Sequence, residues 1–263
     1  MRHFKHDFEM TNKSSEVEDT VQHSEHNIEQ NIRLSCSGVE DRVQYWQARW
    51  ATGQSQWHSE KPHQYLVKYL DQLVTGDAKI RIFLPLCGKA GDLNWLYQAG
   101  HTVLGVEGVP FVVEQFFREN KIEHEKTSMQ DINGWKFQSK DGRLTIYACD
   151  FFLLTPAILG PIDAVYDRGA LEAVSPNDRI NYVRVMQSLV GPEFRYVLNT
   201  YEYDDTMFQG PPRNIPRDEV FNLFADFCEV DILEEEDESD AAADKFNLEW
   251  MVKVVYLLKP ALQ

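Results

Sequence analysis

Two acids and an arginine stand where a parallel sheet would present them to a ligand. Glu107 ends one apolar run, Asp150 directly follows another, and Arg168 comes two residues after a third. Ligands of open α/β sheets bind outside the carboxyl ends of the strands. A carboxylate such as Glu107 can accept two hydrogen bonds from ribose hydroxyls, and Asp150 could accept one from an adenine amino group. The two acids therefore predict a cofactor that carries adenosine.

The turn that precedes these residues indicates which cofactor. An apolar strand at 80–84 enters a turn in which Pro85 and Cys87 flank a single well-placed glycine, Gly88. A dinucleotide site needs three spaced glycines to cradle a pyrophosphate at a helix N-terminus, which this turn lacks. S-adenosylmethionine has no phosphate and needs only a close turn and an acid for its ribose. The alternative is an ordinary strand-to-helix turn with Glu107 placed by chance.

Arg168 is the residue expected to carry chemistry. It could pair with a carboxylate, orient the methionine part of the cofactor or stabilise an anionic nucleophile, while its structural alternative is an ion pair with Asp167 or another acid. Methyl transfer to an anion needs little acid–base machinery, so alignment and exclusion of water can suffice. Neither a Ser-His-Asp set nor a metal is expected. For Asp150 the alternative role is a helix N-cap.

These residues must be positioned by a regular alternation of strands and helices. The alternation predicts a mostly parallel sheet with right-handed crossovers, extended to seven strands by two runs near the C-terminus. An acidic run at 234–240, followed by alanines, is expected to be a mobile loop between those two runs. The predicted strands lie at 80–84, 102–107, 144–149, 162–166, 195–200, 228–233 and 250–258. The predicted helices lie at 41–50, 63–74, 92–98, 110–120, 176–190 and 217–227.

Composition limits the possible partners and locations. The chain has 263 residues, 43% of them hydrophobic, and a formal net charge of −16, which disfavours nucleic acid and anionic membranes as partners. Without a long apolar run or a secretory signal, a cytoplasmic location is expected, and a monomer is the default state. Residues 1–38 are polar and predict a disordered extension with solvated histidines, which leaves one folded domain at 39–263.

The four cysteines are expected to be reduced and without a chemical role. Cys36, Cys87, Cys149 and Cys228 are far apart in the sequence and form no Cys-x-x-Cys pair, which argues against a zinc site or a disulfide framework. Cys87 lies in the turn after the first strand, but a small buried apolar role is favoured over a reactive thiol.

Three tryptophans precede the first strand. Trp46 and Trp50 recur at helical spacing, and Trp57 follows a turn that contains Gly53. From spacing alone, such a stripe indicates core packing rather than contact with a ligand.

Several motifs, in order over residues 40–259, resemble the thiopurine S-methyltransferase family. The resemblance implies a class I methyltransferase fold with a seven-stranded sheet, helices on both faces and an antiparallel C-terminal strand. It also implies S-adenosylmethionine as cofactor, a small aromatic or heterocyclic thiol as acceptor, and a role in xenobiotic metabolism. The motifs are Trp46-Gln47-Ala48-Arg49-Trp50, Trp57-His58, Phe83-Leu84-Pro85-Leu86-Cys87-Gly88-Lys89-Ala90, Gly105-Val106-Glu107, Asp167-Arg168-Gly169-Ala170-Leu171, Gly210-Pro211-Pro212 and Val255-Tyr256-Leu257-Leu258.

The resemblance also implies roles for individual residues. The tryptophan stripe becomes a cover over the cofactor, Arg168 becomes the catalytic residue, and the acceptor supplies its own thiolate. The implied cofactor contacts are Trp46, Trp50, Trp57, Leu86, Glu107, Asp150, Phe151 and Arg168. The implied acceptor contacts are Trp57, Arg168, Pro211 and Pro212.

The chain departs from the family pattern at three places. The family tends to place an arginine before the last strand, where this chain has Ala241-Ala242-Ala243-Asp244-Lys245, so Lys245 could only partly replace that charge. Trp57 stands where vertebrate relatives have Phe, and Asp150 where they have Ser. Two other functions remain open: methylation of another soft nucleophile such as a selenium or tellurium species or a halide, and binding of S-adenosylmethionine without catalysis.

Overall fold

A computed structural model describes residues 39–55, 57–76 and 78–261 of the chain. The expected disordered extension and Cys36 lie outside the described residues. Within the described part, no helix is long and apolar enough to cross a membrane.

The chain falls into two compact units, divided between Thr52 and Gly53. The described part of the first unit contains helix α1 (Val39–Ala51), which matches the helix predicted at 41–50. Trp46 lies on this helix with its ring edge-on to the ring of Tyr45, 5.2 Å between centroids.

The second unit contains one nine-stranded sheet and eight α-helices within its described residues. The strands are β1 (Arg81–Leu84), β2 (Thr102–Glu107), β3 (His124–Ser128), β4 (Gly134–Ser139), β5 (Leu144–Cys149), β6 (Ile162–Arg168), β7 (Val190–Tyr203), β8 (Cys228–Asp237) and β9 (Met251–Pro260). The helices are α2 (Gln64–Lys68), α3 (Leu70–Leu73), α4 (Gly91–Gln98), α5 (Pro110–Glu119), α6 (Pro156–Leu159), α7 (Arg179–Leu189), α8 (Arg217–Phe224) and α9 (Ser239–Phe246).

The strand order is β3-β4-β5-β2-β1-β6-β7-β9-β8. The central strands β5, β2, β1, β6 and β7 are parallel, and β9 runs antiparallel between β7 and β8. This confirms the parallel core and the antiparallel C-terminal strand. The predicted number of seven strands is wrong because β3 and β4 form an additional antiparallel hairpin at the edge. Four of the five β3 residues are exposed, so this strand carries no apolar pattern that would reveal it.

Helices cover both faces of the sheet, as predicted. Side chains of successive strand residues point to opposite faces, so Phe83 joins one apolar cluster whereas Ile82 and Leu84 join the other. The Phe83 cluster includes residues of α6, α7 and α8. The opposite cluster includes residues of α2 to α5. Both clusters contain fully buried aromatic rings, which fix the sheet between two helical layers.

The acidic run is not a mobile loop, and that prediction is wrong. Strand β8 continues to Asp237 and is followed directly by α9. The Glu234 carboxylate accepts hydrogen bonds from Lys68 Nζ at 2.7 Å and the Tyr69 hydroxyl at 2.6 Å. Its neighbour Glu235 lies 2.7 Å from Arg217 Nη1. Partners on different elements thus neutralise successive acids and allow them to occupy a strand.

Other boundaries differ from the prediction by small amounts. The helix expected at 63–74 is two short helices, α2 and α3. The described cysteines, Cys87, Cys149 and Cys228, are free and buried, which confirms the small apolar role predicted for Cys87.

Candidate active site

The site lies where the strand order reverses direction. From β1 the chain proceeds to β2 on one side and later returns to β6 on the other side of β1. In an open α/β sheet, such a switch point leaves a crevice at the carboxyl ends of the strands. Leu86 follows β1, Glu107 ends β2, and Arg168 ends β6. The sheet therefore brings these three predicted residues to one edge.

The turn after β1 lies tightly against β2. The N–H of Cys87 donates to the Val106 carbonyl at 2.8 Å, which ties the turn to the neighbouring strand. A Cβ on Gly105 would lie 2.8 Å from Cys87 Sγ, so a side chain there would push the turn away. Leu86 has φ +41°, a conformation that is uncommon for a non-glycine residue and is found at ligand sites.

Glu107 is held in place by the backbone on both sides of the crevice. Its Oε2 accepts the N–H of Gly88 at 3.1 Å and its Oε1 accepts the N–H of Val109 at 2.9 Å. Burial raises the pKa of this carboxyl group to about 7. Each carboxylate oxygen can accept more than one hydrogen bond, so the group still has acceptor capacity for two ribose hydroxyls. The close turn and this carboxylate fit a nucleoside.

Asp150 and Phe151 follow β5 at the same edge of the sheet. Asp150 Oδ1 accepts the N–H of Phe152 at 3.2 Å and caps a short 3-10 helix, Phe151–Leu153, so the N-cap alternative is confirmed. The Phe151 side chain is 2% exposed and its ring stacks on Tyr182 with 4.6 Å between centroids. Phe151 is therefore enclosed by its neighbours, and the adenine contacts of Asp150 and Phe151 stay predictions.

Arg168 is paired with an acid that the sequence did not suggest. Its Nη2 lies 3.4 Å from Asp92 Oδ2, and its Nη1 donates to the Trp57 carbonyl at 3.4 Å. Asp92 is only 2% exposed, and its Oδ1 also accepts the N–H of His63 at 2.6 Å. Among the described residues, the buried Nε of Arg168 has no hydrogen-bond partner. The only clue to Asp92 in the sequence was its position in the first turn of α4, the helix that follows the β1 loop.

Asp167 binds two tyrosine hydroxyls on the opposite face of the sheet. Its Oδ2 accepts the hydroxyls of Tyr182 and Tyr196, each at 2.6 Å, and its Oδ1 accepts the N–H of Leu171. Burial raises the pKa of this fully buried acid, and the two tyrosine hydroxyls oppose that effect. The ion pair of Arg168 is therefore formed with Asp92 and not with Asp167.

The Gly-Pro-Pro loop lies beside the segment that follows β6. The Tyr203 hydroxyl donates to the Pro212 carbonyl at 2.6 Å. The N–H of the next residue, Arg213, donates to the Glu172 carbonyl at 3.1 Å. Since Glu172 comes four residues after Arg168, the structure brings two predicted acceptor regions together.

A buried lysine near Arg168 was missed by the sequence reasoning. Lys253 on β9 is 7% exposed, pairs with the Glu238 carboxylate and lies 5.1 Å from the Tyr201 ring centroid. Lys245 is instead exposed, with its ammonium 5.1 Å from the ring centroid of Phe246. Lys253, unlike Lys245, carries its charge inside the fold. Replacement of the family arginine by Lys245 stays a prediction. Residues on both faces of β9 are buried, so no alternation in its sequence marked Lys253 as an inward residue.

The remaining predicted contacts are Trp46 and Trp50. Both lie on α1 in the first unit, and their proposed role as a cover stays a prediction.

The family model and the similar known proteins indicate the same family. The family model described as thiopurine S-methyltransferase matches residues 42–261. Thiopurine S-methyltransferase of Bos taurus is 38% identical over 221 residues, covering 82% of this chain and 90% of the relative. A probable thiopurine S-methyltransferase of Danio rerio is 35% identical over 219 residues, covering 83% and 94%.

Solved structures support the fold. A 1,6-didemethyltoxoflavin-N1-methyltransferase of Burkholderia thailandensis, bound to S-adenosylhomocysteine, superposes with a TM-score of 0.58 at 15% identity and covers 84% of this chain and 87% of that chain. A geranyl diphosphate C-methyltransferase of Streptomyces coelicolor superposes with a TM-score of 0.54 at 11% identity and covers 75% of each chain. At such identities the similarity shows the methyltransferase fold alone.

Proposed function

The chain belongs to the thiopurine S-methyltransferase family, and we propose that it methylates the sulfur atom of small aromatic or heterocyclic thiols. Membership makes it an S-adenosylmethionine-dependent methyltransferase. The observation that carries the proposal is the placement of Glu107 and Arg168 on opposite sides of the β1 carboxyl end, next to the close turn at Leu86.

The cofactor would be held mainly by the turn and the Glu107 carboxylate. When bound, S-adenosylmethionine supplies a methyl group on a positively charged sulfur. Glu107 would accept the ribose hydroxyls, and the backbone at Leu86 would lie against the same part of the ligand. Arg168 would lie near the methionine end, where its buried Nε, which has no hydrogen-bond partner in the described part of the chain, could donate to the ligand. Asp92 balances the charge of Arg168, which limits repulsion of the cationic cofactor.

The acceptor would bind between Trp57 and the loop at Pro211 and Pro212. The hydrogen bond from Arg168 Nη1 to the Trp57 carbonyl supports a position for this tryptophan beside the acceptor. The guanidinium of Arg168 would stabilise the negative charge of an ionised thiol. Flat apolar walls would favour an aromatic or heterocyclic thiol.

A panel of methyl acceptors tests this function. Purified protein is incubated with S-adenosylmethionine and, separately, thiophenols, mercaptopurines, halides and oxyanions of selenium and tellurium, and the products are identified by mass spectrometry. We expect methyl thioethers from the aromatic thiols. Products from the inorganic anions alone would show methylation of another soft nucleophile, and cofactor binding without any product would show a binding protein. The monomeric state and the cytoplasmic location stay predictions.

A further inference from the structure

A buried acid next to the proposed acceptor region has no assigned role. Glu172 lies in the segment after β6, four residues beyond Arg168, and its side chain is 4% exposed. Its Oε1 has no hydrogen-bond partner among the described residues. A buried acceptor atom without a partner is costly, and it marks a position where a ligand can provide the missing donor. The proton of a thiol is such a donor.

Glu172 lies next to the residues proposed to bind the acceptor and not next to those proposed to bind the adenosine. Its backbone carbonyl accepts the N–H of Arg213, directly after Pro211 and Pro212. Both Arg168 and Lys253 act on its carboxyl group electrostatically. The charged and titratable groups around it are Asp167 and Arg168 of β6, Tyr201 and Tyr203 of β7, Lys253 of β9, and Arg213 of the Gly-Pro-Pro loop.

We propose that the Glu172 carboxylate is the general base that removes the proton from the acceptor thiol, an inference that rests on the proposed function. The S–H bond breaks and its proton moves to Glu172. The electron pair of the acceptor sulfur forms a bond to the methyl carbon, and the bond from that carbon to the cofactor sulfur breaks. The products are a methyl thioether, neutral S-adenosylhomocysteine and a protonated Glu172, which returns its proton to water.

The electrostatic environment suits this role. Burial, followed by the charge of Asp167, raises the pKa of Glu172 to about 8. A base is most effective when its pKa lies near the working pH and near that of the group it deprotonates, and the unperturbed alkyl thiol of cysteine has a pKa of about 8.5. Arg168 can stabilise the thiolate but cannot remove the thiol proton, because a guanidinium keeps its own proton.

The variant Glu172→Gln separates two opposite roles of a buried acid. If the carboxylate deprotonates the thiol, its loss harms acceptors that are weakly ionised in solution and spares those that are already ionised. If the carboxylate only repels a thiolate, its removal speeds the reaction for every thiol. The variant keeps the volume of the side chain, so packing is little changed.

The experiment compares two acceptors of similar shape at about pH 7.5. Nitrothiophenol is ionised at this pH, whereas benzyl mercaptan is almost wholly protonated. For Glu172→Gln we expect kcat/KM for benzyl mercaptan to fall by at least about tenfold, within the range of general-base effects, and that for nitrothiophenol to change by less than about threefold. The matched control Glu114→Gln, which removes an exposed partner of Lys126, should change neither.

A second readout does not depend on turnover. In protein labelled with 13C at glutamate carboxyl groups, the signal lost in Glu172→Gln identifies Glu172. Adding an aromatic thiol to the complex with S-adenosylhomocysteine should shift this signal, and adding the same ring without sulfur should not.

Three outcomes overturn the inference. The first is an equal decrease in kcat/KM for both thiols, and the second is a faster reaction of Glu172→Gln with both thiols. The third is a 13C signal of Glu172 that does not shift when the aromatic thiol is added. Failure of the proposed function looks different, because the unmodified protein would then methylate neither thiol.

Discussion

Replacing Glu107 by Ala tests the cofactor assignment. The carboxylate retains acceptor capacity for two ribose hydroxyls beyond its bonds to Gly88 and Val109. Loss of charge-assisted hydrogen bonds to a ligand costs roughly 1 to 3 kcal/mol, which corresponds to a roughly 5- to 150-fold increase in the Kd for S-adenosylmethionine. We expect an increase in this range by isothermal titration, whereas the exposed-site control Glu114→Gln should bind normally.

The pH dependence of binding sharpens this test. Since the pKa of Glu107 is raised to about 7, the carboxyl group is ionised above that pH and protonated below it. Roughly 90% of the group carries its charge near pH 8, but only about 3% near pH 5.5. The affinity advantage of the unmodified protein over Glu107→Ala should therefore be large near pH 8 and shrink near pH 5.5. An unchanged affinity of Glu107→Ala near pH 8, in a folded protein, would refute the ribose assignment.

Three further substitutions test the site and its support. Arg168→Met should lower kcat by roughly 100-fold through lost stabilisation of the thiolate, with the Kd for S-adenosylmethionine raised less than about fivefold; steady-state kinetics with normal turnover would remove Arg168 from the mechanism. Tyr182→Phe should lower the free energy of unfolding by roughly 1.5 to 3 kcal/mol in urea titrations, because it removes a hydroxyl donor from buried Asp167; an unchanged midpoint would contradict this. Gly91→Ala should lower the free energy of unfolding by about 2 kcal/mol or more, because the new Cβ would lie 2.1 Å from the Glu60 carbonyl oxygen. An unchanged melting temperature would show that the backbone around this contact relaxes easily.

The sequence was sufficient for the core of the fold. Long apolar runs and the spacing of turns predicted the parallel strands and most helices, because buried strands and amphipathic helices leave strong local patterns. The hairpin of β3 and β4 escaped detection because an exposed edge strand needs no apolar residues. The acidic end of β8, beyond the strand predicted at 228–233, escaped for a different reason. Its charges are neutralised by Lys68 and Arg217, which are distant in sequence and become neighbours only in the folded chain.

In the site, too, residues marked by local sequence patterns could be predicted, whereas contacts between residues distant in sequence could not. Leu86, Glu107 and Arg168 could be predicted because the ends of parallel strands meet at one edge. The partner of Arg168 could not, because the approach of Asp92 depends on how α4 packs. Lys253 and Glu172 escaped for the same reason, since only their neighbours in three dimensions distinguish them from ordinary charged residues.

The most direct test of the central claim is transfer of an isotopically labelled methyl group. The purified protein is incubated with S-adenosylmethionine carrying a 13C-methyl group and with thiophenol, and both products are followed by NMR. The account predicts that the label appears on the thiol sulfur together with an equal amount of S-adenosylhomocysteine. A folded protein that binds the cofactor but leaves the label in place with every thiol tested would contradict it.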